Sequence, residues 1–267
     1  MLTATQRVLR FRGLLITLTQ RELKARYRGS ALGFFWSLVN PLMLTGVYTL
    51  VFGLILAPSR GTGPDPYALF LISGLFPWLW VASSLLEGTV SLVANSGLIR
   101  KAVFPVELPP LVAVMANLVH FLLAVPILLA ALLAGHLMGY PVGGWGILLL
   151  PVVIAIHLPM VAGISLALAA LNVLFKDVRD LVSNALTLLF FLAPIIYPLS
   201  FVPNELLRWV VRLNPFAPYV LAYQTTLFEG AVPELSLWLQ MVLVSLAFWA
   251  AGTWLFERLR DVLVELA

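Results

Sequence analysis

The chain has 267 residues, 61% of them apolar and only 10% charged, with a formal net charge of +4. Soluble domains carry about 25% charged residues, so this one lacks the polar surface to coat a water-soluble globule, and no polar stretch approaches the ~50 residues of a small soluble domain. The lack of cysteine excludes disulfides and thiolate metal sites, and the small positive charge, gathered in clusters between apolar runs, points to membrane topology and not to nucleic acid.

Residues 1–33 precede the first long apolar run. Positions 7, 10, 14, 17, 21, 24 and 28 form one helical stripe of Arg, Arg, Leu, Thr, Arg, Lys and Arg, and the neighbouring stripe holds Val8, Phe11, Leu15 and Leu18 before Glu22 interrupts it. This predicts a cytoplasmic amphipathic interface helix over 1–33, with Arg21, Lys24, Arg26, Tyr27 and Arg28 toward anionic headgroups of the membrane lipid. The plain alternative is a solvated basic arm that only sets topology. The length of this segment and of the run after it argue against a secretory signal.

Six apolar runs follow, at 34–57, 67–94, 108–134, 146–175, 181–201 and 236–256. Each is long enough to cross about 30 Å of hydrocarbon at 1.5 Å per residue. The alternating ten-residue segments of an outer-membrane barrel are absent. The expectation is therefore an all-α polytopic membrane protein, with a transmembrane permease domain over 34–267 containing six transmembrane helices. With the N-terminus inside, thirteen of the sixteen lysines and arginines fall on inner segments, and only Arg60, Arg208 and Arg212 lie outside. Both termini are then cytoplasmic.

Between the fifth and sixth runs the segment 203–230 is apolar but broken by Pro203, Pro215 and Pro218. Such a segment reads as re-entrant outer helices, which persist in a bilayer only when buried in protein or lining a cavity. Pro194 and Pro198 free backbone carbonyls near the end of the fifth run. A lumen or gate is expected beside Tyr197, Asn214, Pro215 and Tyr219.

The stretch RELKARYRGSALGFFWSLVNPL at 21–42 resembles the signature of permease subunits of polysaccharide-exporting ABC transporters, the O-antigen, capsule and teichoic-acid group. LIRKAVFPVELPP at 98–110 is similar to that family's first coupling loop. NVLFKDVRD at 172–180 is similar to the second, although Leu174-Phe175-Lys176 departs from the more basic run of other members. PIIYP at 194–198 and Asn214-Pro215 complete an ordered resemblance over essentially the whole chain. The resemblance implies a homodimeric permease in the bacterial inner membrane, paired with two cytoplasmic ATP-binding subunits that hold ATP and Mg. It also implies a lipid-linked polysaccharide or glycolipid as cargo. The chain has no Gly-x-x-x-x-Gly-Lys-Ser/Thr pattern to cradle phosphates, so ATP-driven transport would draw its hydrolysis from a partner, and no cofactor or metal is expected here.

Within that frame Gly97, Leu98, Ile99, Arg100, Lys101, Phe104 and Pro105, and Phe175, Lys176, Asp177, Arg179 and Asp180, are the candidate contacts with an ATPase. Read without the resemblance, both loops are ordinary basic connections. Phe34, Phe35, Trp36 and Trp78 are candidate channel rings, since sugars stack on aromatic faces. Trp78 lies about 17 Å along its helix from Tyr67, where packing is the plain alternative. Glu87 falls at the inner boundary, as a boundary residue or an ion-pair partner for a nearby arginine and not a proton carrier, while His120 and His157 read as interhelical hydrogen-bonding groups. An exporter of drugs or other lipids is the competing function. A membrane-embedded glycosyl- or acyl-transferase needs clustered catalytic groups that no loop supplies.

Overall fold

The computed structural model describes residues 4–29, 35–55, 63–97 and 104–266, and every regular element among them is helical. Two short N-terminal helices, α1 (Ala4–Arg10) and α2 (Arg12–Tyr27), precede α3 (Trp36–Tyr48), which continues as a π-helical stretch Thr49–Ile55. The long helices α4 (Tyr67–Ala94), α5 (Leu108–Leu137) and α6 (Leu150–Leu174, led in by a 3-10 turn Trp145–Leu149) form the centre. After α7 (Val178–Leu192) come α8 (Glu205–Leu213) and α9 (Ala217–Tyr223), the latter extended by a π-helical turn Gln224–Phe228. The last helix is α10 (Leu235–Leu266).

Among the described residues four helices are long and apolar enough to cross a membrane, not six: Tyr67–Ala94, Leu108–Leu137, Trp145–Leu174 and Leu235–Arg260. Hydropathy counts apolar residues, but spanning also needs enough continuous apolar helix. In the first run that helix is Pro41–Ile55, at most about 22 Å long at 1.5 Å per residue and π-helical from Thr49 onward, short of a 30 Å core. In the fifth, the chain leaves helical geometry at Ala193 (φ −82°, ψ 146°), just ahead of Pro194. Proline disfavours helical geometry in the residue before it, so α7 stops after 15 residues.

α4 is enclosed by its neighbours along most of its length, whereas α10 leaves most of its surface exposed. α6 and α10 meet backbone to backbone. A Cβ on Gly163 would lie 2.3 Å from the Phe248 carbonyl oxygen, and one on Gly252 would lie 2.0 Å from that of Gly163. Small residues permit this approach, and van der Waals contact replaces a hydrophobic drive that lipid does not supply. Ser245 Oγ donates to the Ile156 carbonyl further along the same seam, so the two helices run parallel. A second, smaller core closes one end of the bundle, where Leu92, Val106, Leu111, Leu166, Ala170 and Phe256 pack with Phe104 and with Val8 and Leu15 of the N-terminal helices.

Candidate functional site

Of the two connections at the end of the bundle closed by the smaller core, the first is described in part. Gly97 is exposed after the end of α4, and Leu98, Ile99, Arg100 and Lys101 lie outside the described residues, as does Phe34. The chain is described again from Phe104, which is half-buried, and then Pro105, Val106 and Glu107 turn fully inward. The second connection is the opposite. Phe175 is 62% exposed, and Lys176, Asp177, Arg179 and Asp180 all face outward, leaving Val178 as its buried side chain. These four charges make no ion pair with one another among the described residues.

α2 is pinned to the bundle through Arg26. Its guanidinium takes both oxygens of Glu87 on α4, with Nη1 3.2 Å from Oε1 and Nη2 on Oε2, and it also reaches Asn117 Oδ1 at 3.1 Å and Glu22 at 3.2 Å. Asn117 closes the ring by donating to Glu87 Oε2 at 2.6 Å. A planar, forked cation suits this bidentate geometry. Arg21, Lys24 and Arg28, with Thr17 and Gln20, line an open basic groove of about 480 Å³, and Arg21 also borders the cavity that holds Arg26 and Glu87. Tyr27 ends α2, and its side chain is outside the described residues.

A second polar cluster was not legible in the sequence. Glu107, whose side chain is 1% exposed, receives Arg7 Nε of α1 at 2.6 Å, and Arg7 Nη2 reaches Glu257 of α10 at 2.5 Å. Arg260, one turn further along α10, lies 3.6 Å from Glu107 Oε1. Burial works against the Arg7 charge, but the hydrogen bonds and fields of Glu257 and Glu107 outweigh it and hold its pKa above the ordinary arginine value. The available signal was one acid at the foot of an apolar helix, directly before Leu108-Pro109-Pro110, where a carboxylate without a cation would be costly.

The aromatic candidates separate into two groups. Phe35 and Trp36 are exposed, and Trp36 borders a small cavity of about 150 Å³ with Phe76, Trp80, His120 and Phe121. Trp78 instead sits in the core between the rings of Phe190 and Phe216. Tyr219 stacks on His157 at 3.9 Å, with its hydroxyl 2.8 Å from the Met241 carbonyl and 2.5 Å from Ser245 Oγ, tying α9 to α10. His157 Nδ1 lies 3.4 Å from the Tyr223 hydroxyl.

The break after α7 is stitched by its own residues. The Tyr197 hydroxyl donates to the carbonyls of Phe191 and Leu192, and the Pro194 carbonyl accepts from Gln224 Nε2 at 2.8 Å. Asn214 donates to Leu189 and accepts the Phe216 N–H, forming an Asx turn around Pro215. Pro198 borders a cavity of about 390 Å³ with Thr49, Gly53, Tyr67, Ile196 and Phe201.

Polar pins at one end, close-packed spans and two connections of opposite character describe a membrane machine whose chain ends are fastened to its helices. The sequence profile of the ABC-2 type transporter family matches residues 13–228. The chain belongs to the ABC-2 type transporter family. Among curated relatives it is 36% identical, over 99% of both chains, to the O-antigen export system permease protein RfbA of Myxococcus xanthus. It is 35% identical, over 82% of both chains, to the protein of the same name from Klebsiella pneumoniae. A more distant similarity, 22% identity over 80% of this chain and 81% of the other, links it to the polysialic acid transport protein KpsM of Escherichia coli. As a member of the ABC-2 type transporter family it is a multi-pass transport permease.

Proposed function

We propose that this permease is the membrane subunit of an ATP-driven exporter that carries a lipid-linked, O-antigen-like polysaccharide across the bacterial inner membrane. The match to the O-antigen export system permease protein of Myxococcus xanthus, 36% identical over 99% of both chains, carries this reading. The working unit is a homodimer with two cytoplasmic ATPase subunits, which hold ATP and Mg. Both termini lie in the cytoplasm, a placement supported by the excess of basic residues near the end where Arg7, Glu257 and Arg260 meet. The connections 97–105 and 175–180 take the ATPase, and the α2 groove with Arg21, Lys24 and Arg28 takes anionic headgroups. Phe35 and Trp36 offer ring faces to sugar.

Deleting the gene from the producing cell tests the cargo. Surface polysaccharide should disappear while its lipid-linked form accumulates inside, and the gene in trans should reverse both. Unchanged surface polysaccharide would remove this reading. A reporter fused after residue 267 should sit in the cytoplasm, and the permease should purify from membranes with an ATPase while hydrolysing nothing alone.

A further inference from the structure

The Arg7 cluster contains two cations and two carboxylates, yet they are unevenly shared. Arg7 holds both acids, Glu107 at 2.6 Å and Glu257 at 2.5 Å. Arg260 Nε is buried without a hydrogen-bond partner among the described residues, 3.6 Å from Glu107 Oε1. Glu107 Oε2 is also buried and unpartnered. A buried unsatisfied donor facing a carboxylate that itself keeps one oxygen unsatisfied marks an arrangement with a second solution close by. Shortening the Arg260–Glu107 contact by about 0.7 Å gives an ordinary hydrogen bond. Arg7 would then keep Glu257 and Arg260 would hold Glu107, one carboxylate for each cation. Neither arrangement leaves a charge uncompensated.

Glu107 stands three residues after Phe104, at the point where the first connection enters α5. Its two competing partners belong to opposite ends of the chain. We propose that Glu107 is a positioning residue that exchanges Arg7 for Arg260 when the stretch 104–107 is displaced. One stroke then loosens α1 and draws in α10. Packed bodies with two discrete arrangements convert a small displacement into helix movement in this way. The proposal rests on the reading that the 97–105 connection receives the ATPase, and it adds the joint through which that input reaches the two chain ends.

The natural chain has no cysteine, which permits a direct test. Spin labels are placed on Ala94→Cys, at the end of α4 and outside the 97–105 connection, and on Arg258→Cys, both exposed, in the permease reconstituted in lipid with its co-purifying ATPase. The distance between them is measured without nucleotide and with ATP trapped by vanadate. The expected result is a nucleotide-dependent change in the otherwise native protein that disappears in Arg260→Gln, while that variant still assembles and hydrolyses ATP and exports about tenfold less. Arg260→Lys keeps the charge but loses the fork, and should fall between the two. If Arg260→Gln does not accumulate, a native distance change and native export in Arg260→Lys overturn the exchange. Native behaviour of Arg260→Gln overturns it as well, while leaving the ATPase contact in place. If the native protein shows no distance change at all, the contact reading itself fails, and the exchange with it.

Discussion

The two connections at the same end of the bundle are built to opposite rules. In 104–107 every described side chain turns toward the protein: Phe104 packs on the smaller core, Val106 belongs to it, and Glu107 is held by Arg7. In 175–180 the charged residues and Phe175 all face outward. The first is fastened to three separate parts of the chain, the N-terminal helix, α5 and α10. The second presents a surface. The difference teaches that similar loop chemistry in sequence, a few charges beside an aromatic, can be buried and fastened in one place and left exposed in another.

Three substitutions would break or sharpen that contrast, and all three are read first as thermal stability of the purified permease in detergent. Glu107→Ala should have the largest effect, about 3–5 kcal/mol, because removing one partner of a buried pair leaves Arg7 and Arg260 short of a counter-charge. A loss below about 1 kcal/mol would mean water already reaches the cluster. Phe104→Ala comes next, at about 1.5–2.5 kcal/mol, half the cost of truncating a fully buried phenylalanine. Phe175→Ala should change the permease alone by less than about 0.5 kcal/mol, as an exposed side chain does, yet reduce the ATPase recovered with it. If Phe175→Ala destabilises the isolated protein as much as Phe104→Ala does, the second connection is not a free surface.

A further comparison grades the ion pairs. Arg26→Ala should cost less than Glu107→Ala, because Glu87 is 41% exposed on its side chain and water can replace the lost partner. Arg208→Ala should be close to silent, since Glu205 is 71% exposed. The same detergent melting series ranks all three, and any reversal of that order would show that burial does not set their worth.

Legibility followed the physics of each signal. Helices α4, α5, α6 and α10 lie on apolar runs that hydropathy reads directly. A count of apolar residues registers neither the proline that ends a helix nor the length of helix the chain actually forms, so the stop at Pro194 and the shortness of α3 stayed invisible to it, and two crossings were expected where α3 and α7 are too short. The site divides likewise. Glu87 at a membrane boundary demands a cation, and that demand could be read, although its satisfaction by Arg26, 61 residues away, could not. Arg7 and Glu107 are 100 residues apart, and Arg7 and Glu257 are 250 apart. No periodicity links such distances, so only the fold reveals that they meet.

The contact between Gly163 and Gly252 has a mechanical consequence. Where helices touch through side chains, rotamer changes absorb strain over a fraction of an ångström. Here backbone rests on backbone, with no torsion between them to yield. α6 and α10 therefore act as a single stiff plank. Any tilt imposed at Glu257 is delivered undamped to the middle of α6, where His157 and the rings around it sit.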